Sequence, residues 1–164
     1  MWMKRFIMSM AALLFMIAGV EAQEVYNEIK AKAKATAEDV KADVVVRQIS
    51  QFKVDALEYL MLKMREQMPD STTAFLDIQA YSMDSFVNHF ISSILDNKGK
   101  AEELQVETLK LYMDASYSNP LFNDTDIELS QSYYSNESCL TRFSLDTDWR
   151  KALLAIECQG SSYQ

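Results

Sequence analysis

The sequence predicts an all-α protein: an antiparallel bundle of three to four helices, with two short C-terminal helices and one disulfide. Three observations carry this. Gly and Pro are scarce, three and two in 164 residues, whereas a sheet-rich fold needs many turns. Apolar residues recur at helical spacing over three long stretches. Those stretches end at Pro69, Gly99 and Pro120, residues that stop helices. An apolar content of 49% suffices for a core, and the length fits one domain.

Residues 1–22 read as a secretory signal peptide. Lys4 and Arg5 form a charged start, Phe6 to Val20 an apolar run, and Val20-Glu21-Ala22 a small-residue cleavage site. The run is shorter than the roughly 20 residues of a membrane span. Cleavage after Ala22 would leave residues 23–164 as a single helical domain with no stable membrane insertion, secreted or periplasmic. The leader resembles those of small exported proteins of Gram-negative bacteria. Its removal would take the net charge from −8 to −9.

Residues 23–41 carry a thin apolar stripe of Val25, Ile29, Ala33 and Val40, which predicts a loosely packed helix or arm. From Ala42 to Met68, Val45, Ile49, Phe52, Ala56 and Leu60 form one stripe and Leu57, Met61, Met64 and Met68 another. Two stripes predict two neighbours. Asp70 or Ser71 caps the next helix, which runs to about Asn97 on Leu76, Met83, Val87, Phe90, Ile91 and Ile94. Gly99 suits the left-handed position that closes it. A third helix covers Ala101 to Tyr117, with Leu104, Val106, Leu109, Leu111, Tyr112 and Met113 as its apolar positions. Short connections make these helices antiparallel neighbours.

Beyond Pro120, Thr125 and Glu128 fit a capping box that opens a short helix through Tyr134. Leu140 to Leu145 alternates and suits an extended segment. Asp146-Thr147-Asp148 opens a last helix, Trp149 to Glu157, and a loose tail follows from Gly160. Cys139 and Cys158 enclose 18 residues. In an oxidising compartment such a pair forms a disulfide, stabilising by about 3 kcal/mol.

Acids outnumber bases 24 to 16, which argues against nucleic acid and anionic membranes as partners. Lys30, Lys32, Lys34 and Lys41 are interrupted by acids and read as a solvated face. The doubled Asp-Thr-Asp, at 124–126 and 146–148, invites a calcium reading. An EF-hand needs Gly at loop position six, where these registers hold Leu129 and Lys151. Acids and hydroxyls at helix N-termini explain them better. His89, the one His, reads as a residue at the edge of the core. No catalytic residue, cofactor site or metal ligand is assigned.

Tyr133, Tyr134, Arg142, Phe143, Trp149 and Arg150 crowd the C-terminal quarter. They would either dock that quarter on the bundle or form an interaction site, since Tyr, Trp and Arg anchor interfaces. Asn123 and Asn136 begin N-glycosylation patterns. Asp70-Ser71-Thr72 is similar to an O-glycosylation sequon of some Gram-negative anaerobes, and reads more simply as a cap. The favoured function is an exported, non-enzymatic protein that binds another protein or an envelope component. The alternatives are a small carboxylate-dependent hydrolase and a carrier of an apolar ligand, lined by Met61, Met64, Met68 and Met83.

Overall fold

The computed structural model describes residues 24–99 and 101–160. The expected leader and the residues after Gly160 lie outside that range. The described residues are all-helical, with no strand: α1 (Glu24–Glu38), α2 (Val44–Gln67), α3 (Thr73–Asp96), α4 (Glu102–Tyr117), α5 (Ile127–Ser130) and α6 (Trp149–Gly160).

Side-chain pairing shows how consecutive helices run. Tyr26 of α1 meets Leu57 of α2, while Arg47 reaches back to the Ala37 carbonyl. Lys53 of α2 pairs with Asp84 of α3 at 2.6 Å, while Met64 shares a groove with Leu76. Ser93 of α3 meets Tyr112 of α4, while Asn97 donates to Thr108. In each pair, early residues of one helix meet late residues of the next, so the neighbours are antiparallel. α3 is central, touching α1, α2, α4 and α6.

α1 docks through Ile29 and Ala33 of the expected stripe, joined by Tyr26 rather than by Val25 and Val40. Val25 and Val40 are exposed, and Tyr26 and Ala33 are buried, with Ile29 packed beside them. The Tyr26 hydroxyl donates to the Leu57 carbonyl at 3.1 Å, and its N–H donates to Asp77 Oδ1 at 2.9 Å. A tyrosine can bury its ring while its hydroxyl finds a partner, so a stripe counted in aliphatic residues misses it.

Asp43 caps α2, its carboxylate accepting the Val45 N–H at 2.8 Å. The cap of α3 is Thr72 rather than Asp70 or Ser71. Gly99 has φ +85°, the left-handed conformation expected of it, two residues beyond the Asn97 C-cap. α5 is capped by Asp126 rather than Thr125 and stops at Ser130, short of Tyr134.

Leu140–Leu145 is irregular rather than extended, and residues 143–149 are all buried. This segment threads its side chains into the core. Phe143 has its ring centroid 5.7 Å from Phe52, 5.2 Å from Phe86 and 5.1 Å from Phe90, each edge-on. Trp149 lies 6.0 Å from Phe52 and 5.7 Å from Phe86. Edge-to-face pairs contribute about 0.5–1.5 kcal/mol each beyond their burial, so the aromatic cluster fastens the C-terminal quarter to α2 and α3.

The expected disulfide does not form: Cys139 and Cys158 are not joined. Cys139 lies in the turn that follows α5, and Cys158 lies on the exposed side of α6. Between them the chain dives into the core, where Trp149 is anchored. From there α6 leads Cys158 away along α3 and α4 by nine residues, roughly 13 Å at 1.5 Å per residue.

Candidate interaction surface

The sequence singled out six residues, and the structure divides them. Phe143 and Trp149 are buried in the aromatic core. Arg150 is exposed on α6. Tyr133 is half-buried, its ring 5.0 Å from Phe52 and its hydroxyl donating to Asp55 Oδ2 at 2.5 Å. Burial, together with that carboxylate, pushes the Tyr133 hydroxyl well above the usual tyrosine range. Tyr134 stacks on Tyr117 at 4.8 Å, and Arg142 Nε donates to the Tyr134 carbonyl at 3.3 Å. Of the six, only Tyr133, Tyr134 and Arg142 stand near one another at the surface.

What they surround is α5. The loop that carries it hangs on one carboxylate. Asp146 Oδ1 accepts the N–H groups of Leu121 at 3.0 Å and Phe122 at 2.8 Å, and its Oδ2 accepts that of Asp124 at 2.8 Å. Asn123, between them, has φ +52°, a left-handed conformation that Asn tolerates. Asp124 Oδ2 in turn accepts the Tyr59 hydroxyl at 2.7 Å and pairs with Lys63 at 3.0 Å. Burial alone would raise the Asp124 carboxyl. The Tyr59 hydroxyl, the Lys63 ammonium and the Asp126 N–H outweigh it and hold the carboxyl below the usual range. At the far end of α5, the Ser130 carbonyl accepts the Leu145 N–H at 2.8 Å.

So fixed, α5 is a short ridge between two depressions. Leu129 lines one, of about 290 Å³, with Leu62, Tyr59 and Tyr133, and with Asp55 and Glu58 on its rim. Ile127 lines the other, of about 320 Å³, with Tyr117, Pro120, Asp124 and Asp146. Ile127 is 53% exposed, Leu62 49%, Tyr117 48% and Leu129 41%. None of these four was singled out by sequence. Leu62 carries a usable signal, since it is apolar on the polar face of an amphipathic helix. Ile127 and Leu129 have none, because a four-residue helix shows no periodicity.

Both Asp-Thr-Asp segments turn out to be structural. Asp126 caps α5, and Asp148 accepts the Lys151 N–H in the first turn of α6 at 3.2 Å. Asp148 also accepts from buried Gln79 at 3.0 Å, and the same Gln79 accepts the Trp149 N–H at 2.8 Å. Burial would raise Asp148. Gln79 and Lys151 outweigh that and lower it. Asp124 and Asp146 converge on one depression, but each of their oxygens already accepts a hydrogen bond. Asp124 is also held charged, the reverse of what a general acid needs. His89 is exposed on α3 rather than at the edge of the core. Met83 is sealed in the core, whereas Met61, Met64 and Met68 line an open groove elsewhere.

No protein family, no curated protein and no solved structure matches the chain.

Proposed function

We propose that the chain is an exported, non-enzymatic helical protein that binds a protein partner, or a protein-bearing envelope component, through the α5 ridge. The observation that carries this is the exposure of Ile127 and Leu129 on a helix whose two ends are tied to the core. Apolar side chains presented on rigid backbone lose little entropy when a partner covers them. Leu62 and Tyr117 extend the apolar area on either side, and Tyr133 and Tyr134 flank it. Apolar anchors with aromatic neighbours are the usual centre of a protein interface.

The rim sets the partner's character. Asp55, Glu58, Asp124, Asp126 and Glu128 surround the ridge, with Lys63 and Lys30 paired to two of them. A partner that offers apolar residues flanked by Lys or Arg complements this face. The signal peptide read over residues 1–22 and a secreted or periplasmic location belong to the same proposal.

The test is affinity capture from the envelope and culture fluid of the source organism. Three baits are compared: the native chain, the double variant Ile127→Asp/Leu129→Asp, and Val106→Asp, a control on the exposed side of α4. Support is a species held by the native chain and by Val106→Asp, and lost from the double variant. An identical set of captured species on all three baits overturns the assignment.

A further inference from the structure

The described residues contain Met61, Met64, Met68, Met83 and Met113. Met83 is fully buried and Met113 packs at the edge of the core, as gap-filling methionines do. Met64 is buried as well and Met61 also packs against the core, but these two share a further feature with Met68. Met61 and Met64 lie three residues apart on α2, which places their Cβ atoms about 5–6 Å apart on one face, and Met68 is the C-cap that follows the helix. All three line one open groove of about 220 Å³ at the turn between α2 and α3. Buried Leu76 forms its floor and Pro69 and Thr72 lie at its edge. If the groove needed only apolar lining, Leu would serve with better-defined rotamers.

Methionine adds a thioether sulfur. Thioethers are soft, polarisable donors that select soft metal ions such as Cu(I). The side chain is unbranched with three rotatable bonds, so neighbouring sulfurs can converge over the groove. We propose that this groove binds a soft monovalent cation, Cu(I) or Ag(I), through the sulfurs of Met61, Met64 and Met68. Arg65 also lines the groove. Its like charge opposes a divalent ion twice as strongly as a monovalent one at equal distance. Hard divalent ions further require oxygen ligands. A thioether has no proton to lose, so binding releases none. Thiolate and imidazole sites, by contrast, weaken as pH falls.

Ag(I) is the probe, because it needs no reductant. The chain from Gln23, which leaves out the five methionines of residues 1–22, carries ¹³C-labelled methionine methyl groups, with Cys139→Ser and Cys158→Ser to remove competing thiolates. On titration, the methyl signals of Met61, Met64 and Met68 shift together and saturate, while those of Met83 and Met113 stay in place. Mg²⁺ and Zn²⁺ move none of them. Met64→Leu, a volume-conserving change, weakens Ag(I) binding by about ten-fold or more, as the loss of one of three soft ligands requires. The unshifted Met83 signal certifies its fold. Met61→Leu, volume-conserving at a less buried position, weakens binding as well. Affinity stays constant between about pH 6 and 8, as a proton-free ligand set demands. The proposal fails if the three signals do not move with Ag(I), if Met83 and Met113 shift equally, or if both Leu variants bind as tightly as the parent.

Discussion

Replacing Asp146 tests the claim that one carboxylate holds the loop under α5. Asp146 is 5% exposed and accepts three backbone N–H groups at 3.0, 2.8 and 2.8 Å. A hydrogen bond to a charged group is worth about 1.5–3 kcal/mol net. The three do not simply add. Leu121, Phe122 and Asp124 are only half-buried, so water reaches their N–H groups once the loop opens. Asp146→Ala should therefore cost about 3–4 kcal/mol, at the upper end of single-residue effects. Asp146→Asn keeps a neutral oxygen for Leu121 and Phe122 but turns an NH₂ toward the Asp124 N–H. Its cost should be smaller, about 2 kcal/mol. Urea unfolding followed by the fluorescence of Trp149 measures both, in a chain beginning at Gln23 so that Trp2 is absent. The midpoint should fall in the order native, Asn, Ala, with the slope unchanged. A loss under about 1 kcal/mol for Ala, below the worth of a single charged bond, or Asn as damaging as Ala, refutes the reasoning.

Three further outcomes follow from the same geometry. Trp149→Ala removes the largest fully buried side chain and should destabilise by about 3–5 kcal/mol; an unchanged melting temperature contradicts its place in the core. Asp124 and Asp148 both have carboxyl groups held low in the folded chain, so between folded and unfolded values the unfolded chain binds more protons. Their stabilisation is present above the unfolded value, about 3.9, and is lost as pH falls through the folded ones; Asp124→Asn should flatten that acid limb in pH-resolved denaturation. Because Cys139 and Cys158 are not joined, dithiothreitol should leave the melting temperature of the chain where it was, and a fall would show that a disulfide had formed.

The long helices were legible because their packing is periodic. α2, α3 and α4 begin and end within about three residues of the expected positions, since Pro69, Gly99 and Pro120 act locally on the backbone. The faces were less legible than the boundaries. Val45 and Val106 fit an apolar stripe yet are 45% and 58% exposed, because periodicity cannot say how wide a stripe the neighbours cover. Residues 118–148 were the least legible. Their burial depends on partners far away in sequence, such as Gln79 for Asp148 and Ser116 for Thr147. The cysteine pairing failed for the same reason, since spacing along the chain ignores the route through the core. The α5 surface was half visible. Tyr133, Tyr134 and Arg142 stand beside it, but Phe143 and Trp149 share their composition and lie in the core.

The buried stretch from Phe143 to Trp149 explains why α5 faces outward. Irregular backbone can enter a core only if its N–H and C=O groups find partners. Here short polar side chains and a backbone carbonyl supply them. Ser116 Oγ accepts the Ser144 N–H at 3.0 Å, Thr147 Oγ1 donates to the Ser144 carbonyl at 2.7 Å, and the Asn119 carbonyl accepts the Asp148 N–H at 2.7 Å. These bonds fix where the loop leaves the core and where it returns, and α5 is the part left outside. The loop that buries Phe143 completely leaves Ile127 and Leu129 exposed, so their exposure is set by the same anchors rather than by loose packing. A separable prediction results. Ile127→Ser with Leu129→Ser should change folding stability by no more than about 0.5 kcal/mol per site, as surface positions do, while Phe143→Ala should cost about 3–5 kcal/mol. If the serine pair destabilises as much as the core change, Ile127 and Leu129 are packing residues, and the ridge is not an interface.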